Sequence, residues 1–270
     1  MKPELSVIIV NYNGLQYLKG CFDSLHDKLQ GINHEIVVID NNSKDNSCAY
    51  IKQHYPEVVL IESKENHGFG KGNNEAVKHA KGEYILLLNN DTILQDNLLP
   101  VLKHIKADAT IGAVGIKMVS GTKEYLLSVG KFPDFLGVLK IKNMSKVGTD
   151  LVAANFTKNS YDVDWISGSF LLMPKKVYDE VGGFDEKYFM YVEDVDLCRE
   201  ICNKGYRRVF LPNYSYVHFV GFNKSKNPLL LQGLKTYINK HYSGLAAIKL
   251  KLALTINATV KRFKNIFNLD

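Results

Sequence analysis

Short runs that are apolar throughout alternate along this chain with stretches where apolar residues return every three or four positions. Leu5–Val10 (LSVIIV) is the first run, Asn11-Tyr12-Asn13-Gly14 punctuates it, and Leu15, Leu18, Phe22 and Leu25 follow at helical spacing. Glu35–Ile39 repeats the strand signal, Asp40-Asn41-Asn42-Ser43 breaks it, and Asp45–Tyr55 reads as a helix stopped before Pro56. A third strand is predicted over Val58–Ile61, a glycine-bearing loop over Glu65–Gly72, a helix over Asn73–Ala80 and a fourth strand over Tyr84–Leu88 (YILLL). Gln95–Ala107 then reads as helix and Gly112–Met118 as strand. Strands that are apolar on both faces and alternate with helices imply a mostly parallel sheet covered on both sides, an α/β fold of Rossmann-like type. Such sheets bind ligands beyond the carboxyl ends of their strands, where the strand order switches. Asn11, Asp40 and the Asn89-Asn90-Asp91 triplet all fall at such ends.

The second half is less regular. Val119–Asp162 has no clear period and is expected to hold irregular structure with short strands. Order returns with Trp165–Met173, a helix over Lys175–Val181 ended by Gly182-Gly183, and a helix over Glu193–Lys204. The segment from Leu211 to Asn227 is aromatic-rich and reads as loop, and the remainder as helix. There Leu245, Ile248, Leu252, Ile256, Val260, Phe263 and Phe267 form one apolar stripe with lysines away from it. The stripe suits packing on the body or lying in a membrane interface, and no apolar stretch is long enough to span a bilayer. The expected division is a domain over 1–227 and a basic amphipathic tail over 228–270.

Charge sharpens that division. The net charge is +6, but residues 224–270 hold nine Lys/Arg against one acid, Asp270, so the rest of the chain carries −2. A basic end on a near-neutral body points to an anionic surface or partner, or to a solvated helix, rather than to a nucleic-acid-binding protein. The four cysteines lack paired metal-ligand spacing and are expected to be free thiols. No secretory pattern precedes the first strand, so a cytoplasmic location is expected.

Several side chains carry candidate chemistry beside a plainer role. Asp91, just beyond the buried run YILLL, suits a hard cation such as Mg2+ or Mn2+ if a diphosphate supplies the remaining oxygens; it also suits an Asx turn. Asp40 offers acceptor oxygens for a pyrimidine N–H, and Tyr12 a flat face for stacking. Gly68-Phe69-Gly70-Lys71-Gly72 suits a phosphate cradle with Lys71 as point charge, but it fits neither a dinucleotide fingerprint nor a Walker A loop. Glu193, Asp194 and Asp196 open a helix, which needs fewer acids than three for capping and leaves one to act as a general base. Trp165 suits the core or a sugar platform, and His218, alone among aromatics, reads first as a packed residue.

Taken in order, the strings Val7–Gly14, Val38–Ser43, Asn66–Asn73, Leu88–Thr92, Gly182–Glu186 and Met190–Leu197 resemble the family 2 glycosyltransferases with the GT-A fold, rhamnosyltransferase-like bacterial members above all. The resemblance covers roughly Leu5 to Ser225. It implies nucleotide contacts at Val10, Tyr12, Asp40, Asn42, Lys71 and Asn90, mainly within 1–118. It implies an acceptor side within 119–227, with Trp165, Gly168 and Glu193 on it, and Asp194 as catalytic base. A divalent metal is implied on Asp91, with Asn89 and His218 as further contacts; Asn89 stands where the family often has a first aspartate. The implied reaction moves a sugar from a nucleotide-diphosphate donor, dTDP-rhamnose or a UDP-sugar, to a hydroxyl of a glycan or lipid-linked acceptor with inversion. Peripheral membrane contact through the basic tail fits such an acceptor. The rivals are a non-catalytic nucleotide-sugar-binding or membrane-adaptor protein of the same fold, and a sugar-phosphate nucleotidyltransferase. The latter usually carries a glycine-rich loop after its first strand, which Asn11-Tyr12-Asn13-Gly14 does not provide.

Overall fold

The computed structural model describes residues 2–140, 148–219 and 227–266, with residue 227 and residues 261–266 described by backbone alone. In chain order the first half runs β1 (Leu5–Asn11), α1 (Leu15–Lys28), β2 (His34–Asp40), α2 (Ser47–His54), β3 (Val59–Glu62), α3 (Gly68–Val77), β4 (Tyr84–Asn89), β5 (Thr92–Leu94), α4 (Leu99–Ala107) and β6 (Ile111–Val119). The irregular stretch holds β7 (Tyr125–Leu126), β8 (Val129–Gly130), α5 (Phe135–Leu139), α6 (Thr149–Val152) and β9 (Tyr161–Asp162). After it come β10 (Trp165–Ile166), β11 (Phe170–Pro174), α7 (Lys175–Val181), α8 (Glu193–Asn203), β12 (Arg207–His218), α9 (Asn227–His241) and α10 (Gly244–Ile266).

The main sheet has the order β3-β2-β1-β4-β11-β6-β12-β5, with β7 on β6 and β9 on β12; β8 and β10 form a separate pair. β3, β2, β1 and β4 are mutually parallel, β11 runs against β4 and β6, and β12 is parallel to β6 but antiparallel to β5. β1 lies between β2 and β4, so the order switches at β1, and Asn11 pairs with Asp40 while Val10 pairs with Asn89. Such a switch places the ligand crevice of this kind of sheet beyond the carboxyl ends of β1 and β4.

Alternation along each buried strand divides two cores. Val7 and Ile9 of β1, Val38 of β2 and Leu86 and Leu88 of β4 face Leu18, Phe22 and Leu25 of α1 and Val101 and Ile105 of α4. Ile8, Val37, Ile39, Ile85 and Leu87 face the other way, toward Ala76 and Val77 of α3, Val177 of α7 and Leu197 and Ile201 of α8. Each such side chain contributes about 1.5–3 kcal/mol through burial, which explains why these strands tolerate no polar face. A third cluster joins α9 and α10 to the body through Tyr188, Val192, Val195, Leu234, Tyr237, Ile238, Leu250 and Leu254, with Val138 of α5.

Four expectations are corrected. The glycine-rich stretch Gly68–Gly72 is the first turn of α3 rather than a loop. Thr92–Leu94 is a strand, so α4 begins only at Leu99. Leu211–His218 is not loop but the second half of β12, which runs to 12 residues. Pro212 and Asn213 read as breakers, yet the register with β6 shifts between Leu211 and Ser215, and that irregularity absorbs them before Tyr216 and Val217 resume the ladder. The expected loop over 220–226 lies outside the described residues. Finally, α10 packs through Ala247, Leu250, Ala253, Leu254 and Asn257, while Leu245, Ile248, Leu252, Ile256 and Val260 of the sequence stripe are exposed. The small alanines let the helix approach closely, so the less conspicuous face is the buried one. The side chains of Phe263 and Phe267 lie outside the described ones. The four cysteines are free, Cys21 and Cys198 buried and Cys48 and Cys202 half-buried.

Candidate active site

The crevice is built on a ladder of amides. Asn90 Nδ2 donates to Asn11 Oδ1 at 2.7 Å, and Asn11 Nδ2 donates to Asp40 Oδ2 at 2.7 Å. Asp40 Oδ2 also accepts from the Ser43 hydroxyl at 2.7 Å and Asp40 Oδ1 from the Ser43 N–H at 2.8 Å. Asp40 is 2% exposed, so its carboxylate first holds the two loops together. Asn11, fully buried, was noted in the sequence only for its place at a strand end, yet it links all three strand ends. Gly14 closes over this ladder, and a Cβ there would overlap both Asn90 Nδ2 and Asn11 Oδ1.

Around the ladder, Tyr12 is 50% exposed and free to present its ring face, and Val10 is half-buried. The Asn42 backbone is left-handed (φ 64°) and its Nδ2 donates to the Lys64 carbonyl at 2.9 Å. Lys71, on α3, lies 3.8 Å from Glu65 with its side chain about one-third exposed. The first N–H groups of α3 are already spent, Gly68 on Asn66 Oδ1 and Phe69 on the Phe189 carbonyl. Gly68 has φ +74° and no room for a Cβ against Phe189, so this glycine serves close packing on the 184–189 turn, not a phosphate cradle.

At the end of β4, Asn89 and Asp91 meet His218, the last residue of β12, which is brought opposite Thr92 by the β12–β5 ladder. His218 Nε2 lies 3.2 Å from Asp91 Oδ1 and 3.2 Å from Asn89 Nδ2. Nε2 cannot at once accept from Asn89 and donate to Asp91. With the lone pair on Nε2, two acceptors face each other, which is the arrangement a divalent cation resolves. Their 3.2 Å separation is near the about 3 Å between adjacent ligands of an octahedral ion with bonds of about 2.1 Å. Asp91 and His218 thus fit a Mg2+ or Mn2+ ion with a carboxylate and an imidazole, and Asn89 is a neighbour whose amide nitrogen faces the imidazole.

On the opposite wall, Gly168 follows β10 and donates its N–H to Asp194 Oδ2 at 3.0 Å, while Asp194 Oδ1 accepts from the Val195 N–H at 2.8 Å. The Asn89 N–H donates to the Ser169 carbonyl, so this wall is stitched to the end of β4. The buried Tyr216 hydroxyl, bonded to Ser169 Oγ at 2.6 Å, feels the charge of both Asp91 and Asp194. Burial pushes the Asp194 carboxyl above the usual carboxylate range against the pull of its two N–H donors. Glu193 is pushed well above it, first by burial and then by the neighbouring Asp194, and its Oε2 is buried without a partner. At 5% exposure, Glu193 sits beneath the wall instead of lining an open face. Trp165 is half-buried and spends its Nε1–H on the Lys131 carbonyl at 2.9 Å.

The turn that delivers Glu193 and Asp194 is strained. Tyr191 and Val192 both adopt left-handed backbone, φ 71° and 75°, where a β-branched residue is rare and each such residue costs on the order of 1–3 kcal/mol. The sequence gives no signal of it. The turn is clamped by α9, whose Gly233 meets the Tyr191 carbonyl, and by a half-buried ion cluster. Lys240 Nζ lies 2.8 Å from Asp196, 3.2 Å from Glu200 and 3.3 Å from Asp185, and His241 Nε2 lies 2.7 Å from Asp196 Oδ1. Against the cost of burial, the bonds from His241 and Lys240 hold the Asp196 carboxyl below the usual range. Asp196, Glu200 and His241 gather ligating atoms within 4.8 Å of one another, but the Lys240 ammonium already supplies the cation they need.

A family model described as glycosyl transferase family 2 matches residues 6–180. The chain is 29% identical over 226 residues to the rhamnosyltransferase WbbL of Escherichia coli, covering 79% of this chain and 82% of that one. It is 26% identical over 248 residues to an N-acetylglucosaminyl-diphospho-decaprenol L-rhamnosyltransferase of Mycobacterium tuberculosis, covering 84% and 80%. Among solved structures, a mannosyltransferase from Pyrobaculum calidifontis in complex with GDP-Man and Mn2+ aligns with a TM-score of 0.62 at 19% identity, over 98% of this chain and 76% of that one. TarS of S. aureus aligns with a TM-score of 0.61 at 18% identity, over 96% and 71%. The fold is thus of GT-A type, and with well over half of the chain inside one family model, the protein belongs to glycosyl transferase family 2 and is a glycosyltransferase.

Proposed function

We propose that the chain transfers a sugar, rhamnose from its dTDP donor or a hexose from a UDP donor, to a hydroxyl of a glycan or lipid-linked acceptor with inversion. The observation that carries this reading is Asp194, fixed by the Gly168 N–H at one wall of the crevice while Asp91 and His218 occupy the other. The donor base stacks on Tyr12 and reaches Asp40, and Lys71 neutralises phosphate charge. A Mg2+ or Mn2+ ion on Asp91 and His218 would supply charge neutralisation of the departing diphosphate. Asp194 takes the proton of the acceptor hydroxyl as its oxygen attacks the anomeric carbon from the face opposite the diphosphate. Its raised proton affinity makes it a stronger base than a solvated aspartate. Two relatives named as rhamnosyltransferases support the rhamnose donor, and one named for a decaprenol-linked acceptor supports a lipid-linked one. Family membership disfavours the non-catalytic and nucleotidyltransferase readings.

The test is a screen of UDP-, dTDP- and GDP-sugars with Mg2+, Mn2+ or chelator, reading released nucleoside diphosphate, followed by proton NMR of the product. Metal-dependent release from one donor and an inverted anomeric centre are expected, with Asp194→Asn slowing transfer by about 10²–10⁴-fold while donor binding is kept. Retained configuration, or full activity in Asp194→Asn, overturns the reading.

A further inference from the structure

The face of α10 turned away from the body is apolar and uncovered. Leu245, Ile248, Leu252, Ile256 and Val260 recur at steps of three and four, and their exposures run from 42% to 76%. They are opposite the buried line of Ala247, Leu250, Ala253, Leu254 and Asn257, so packing on the body does not account for them. α5 lies alongside, with Val138 in the same cluster as α10, the Leu139 carbonyl accepting from Asn257 Nδ2 at 2.8 Å, and two more exposed apolar side chains, Phe135 and Leu136. A row of exposed apolar side chains along one helix face marks an interaction site rather than ordinary scatter.

Charge decides what covers it. Lys249 and Lys251 are exposed beside the stripe, and by sequence Lys261, Arg262 and Lys264 extend the same helix, which carries no acid. Two copies pressed together along this face would bring like charges into contact, whereas an anionic bilayer attracts them and takes up the apolar side chains between its headgroups. At 23 residues α10 is about 35 Å long, and among the described residues no helix is long and apolar enough to cross a membrane. We propose that the exposed face of α10 is a docking surface that lies flat in the interface of an anionic phospholipid bilayer. The proposal deepens the lipid-linked acceptor reading, for which it supplies the means of reaching acceptors held in the membrane, and it is carried by the exposed apolar face and the basic residues beside it.

The test is flotation of the full chain with phosphatidylcholine vesicles and with mixed phosphatidylcholine–phosphatidylglycerol vesicles, at low and high salt. Flotation with the anionic vesicles only, weakened by salt, is expected. Ile248→Ser with Leu252→Ser should cut partitioning at least about tenfold. Lys249→Glu with Lys251→Glu, a second pair at exposed positions, should do the same with unchanged thermal melting. Neither pair touches the crevice, so nucleotide release from the donor stays at the wild-type rate. Absence of flotation with both vesicle types, or unchanged flotation in both variants, overturns the proposal. So does a wild-type dimer in sedimentation that Ile248→Ser with Leu252→Ser converts to monomer, since the face then belongs to a second copy. Flotation without donor turnover would defeat the proposed reaction and leave the docking surface standing.

Discussion

At the level of single residues, the crevice depends on polar groups whose partners are fixed by contact across the chain. Gly14→Ala forces a methyl into the Asn90–Asn11 hydrogen bond. Leaving one buried amide unpaired costs about 1–3 kcal/mol, so a fall of that size in the free energy of urea unfolding is expected, with weaker nucleotide binding by calorimetry. Glu193 offers a pH test with a definite sign. Its carboxyl titrates well above its unfolded value, so the fold binds the proton more tightly than the unfolded chain does. That stabilisation is full below the ordinary carboxylate range and is lost as pH rises through the raised folded value, by at most about 1.4 kcal/mol per pH unit per proton. Urea midpoints of the wild type should fall along that limb, and Glu193→Gln should remove the Glu193 part of the slope; equal slopes would refute the assignment. Asp194, raised less, must be ionised to act, so transfer rate should climb with pH through its titration and then level.

Among elements, α9 governs the shape of the catalytic turn. Tyr191 and Val192 hold their left-handed backbone because Gly233 lets α9 sit on the turn and because Lys240 and His241 tie α9 to Asp196 of α8. Lys240→Met leaves Asp185, Asp196 and Glu200 facing one another, and a loss of about 1–3 kcal/mol is expected in denaturant unfolding at neutral pH, since the site is partly solvated. The same variant should lower transfer rate more than donor affinity, because the turn carries Asp194 but no nucleotide contact. None of this was legible in the sequence. Lys240 and His241 lie 44 and 45 residues from Asp196, and ordinary helix-end residues look the same. The aromatic stretch that became β12 failed for another reason: Pro212 is a true breaker in isolation, and only pairing on β6 with a register shift makes it tolerable.

Across the whole molecule, the tail and the body are joined by a shared cluster, Val192 and Val195 beneath Tyr237, Ile238 and Leu254. A chain ending before α9 would expose that surface and free the strained turn. It is expected to aggregate or to melt at a lower temperature than the full chain, with donor turnover lost; scanning calorimetry and light scattering of residues 1–226 check this. The expected split at 227 therefore marks a change of composition, and the residues on its far side finish the wall that holds Asp194.

The sequence alone determined the layered α/β sheet, because strands buried on both faces must be apolar at every position and their helices must show one apolar stripe. It also determined which residues stand at the strand ends, since Asn11, Asp40 and Asn89 directly follow apolar runs and Asp91 lies two residues further on. Only the tertiary structure decided how those groups are used. It spent the glycines of α3 on close packing, made Asp40 a strut before a ligand contact, and carried His218 to Asp91 across 127 residues of chain. It also turned the conspicuous stripe of α10 outward. Local patterns record burial and turn chemistry, which depend on neighbours in the chain, whereas a hydrogen-bond partner, a strained turn or the choice of buried helix face depends on what packing brings alongside.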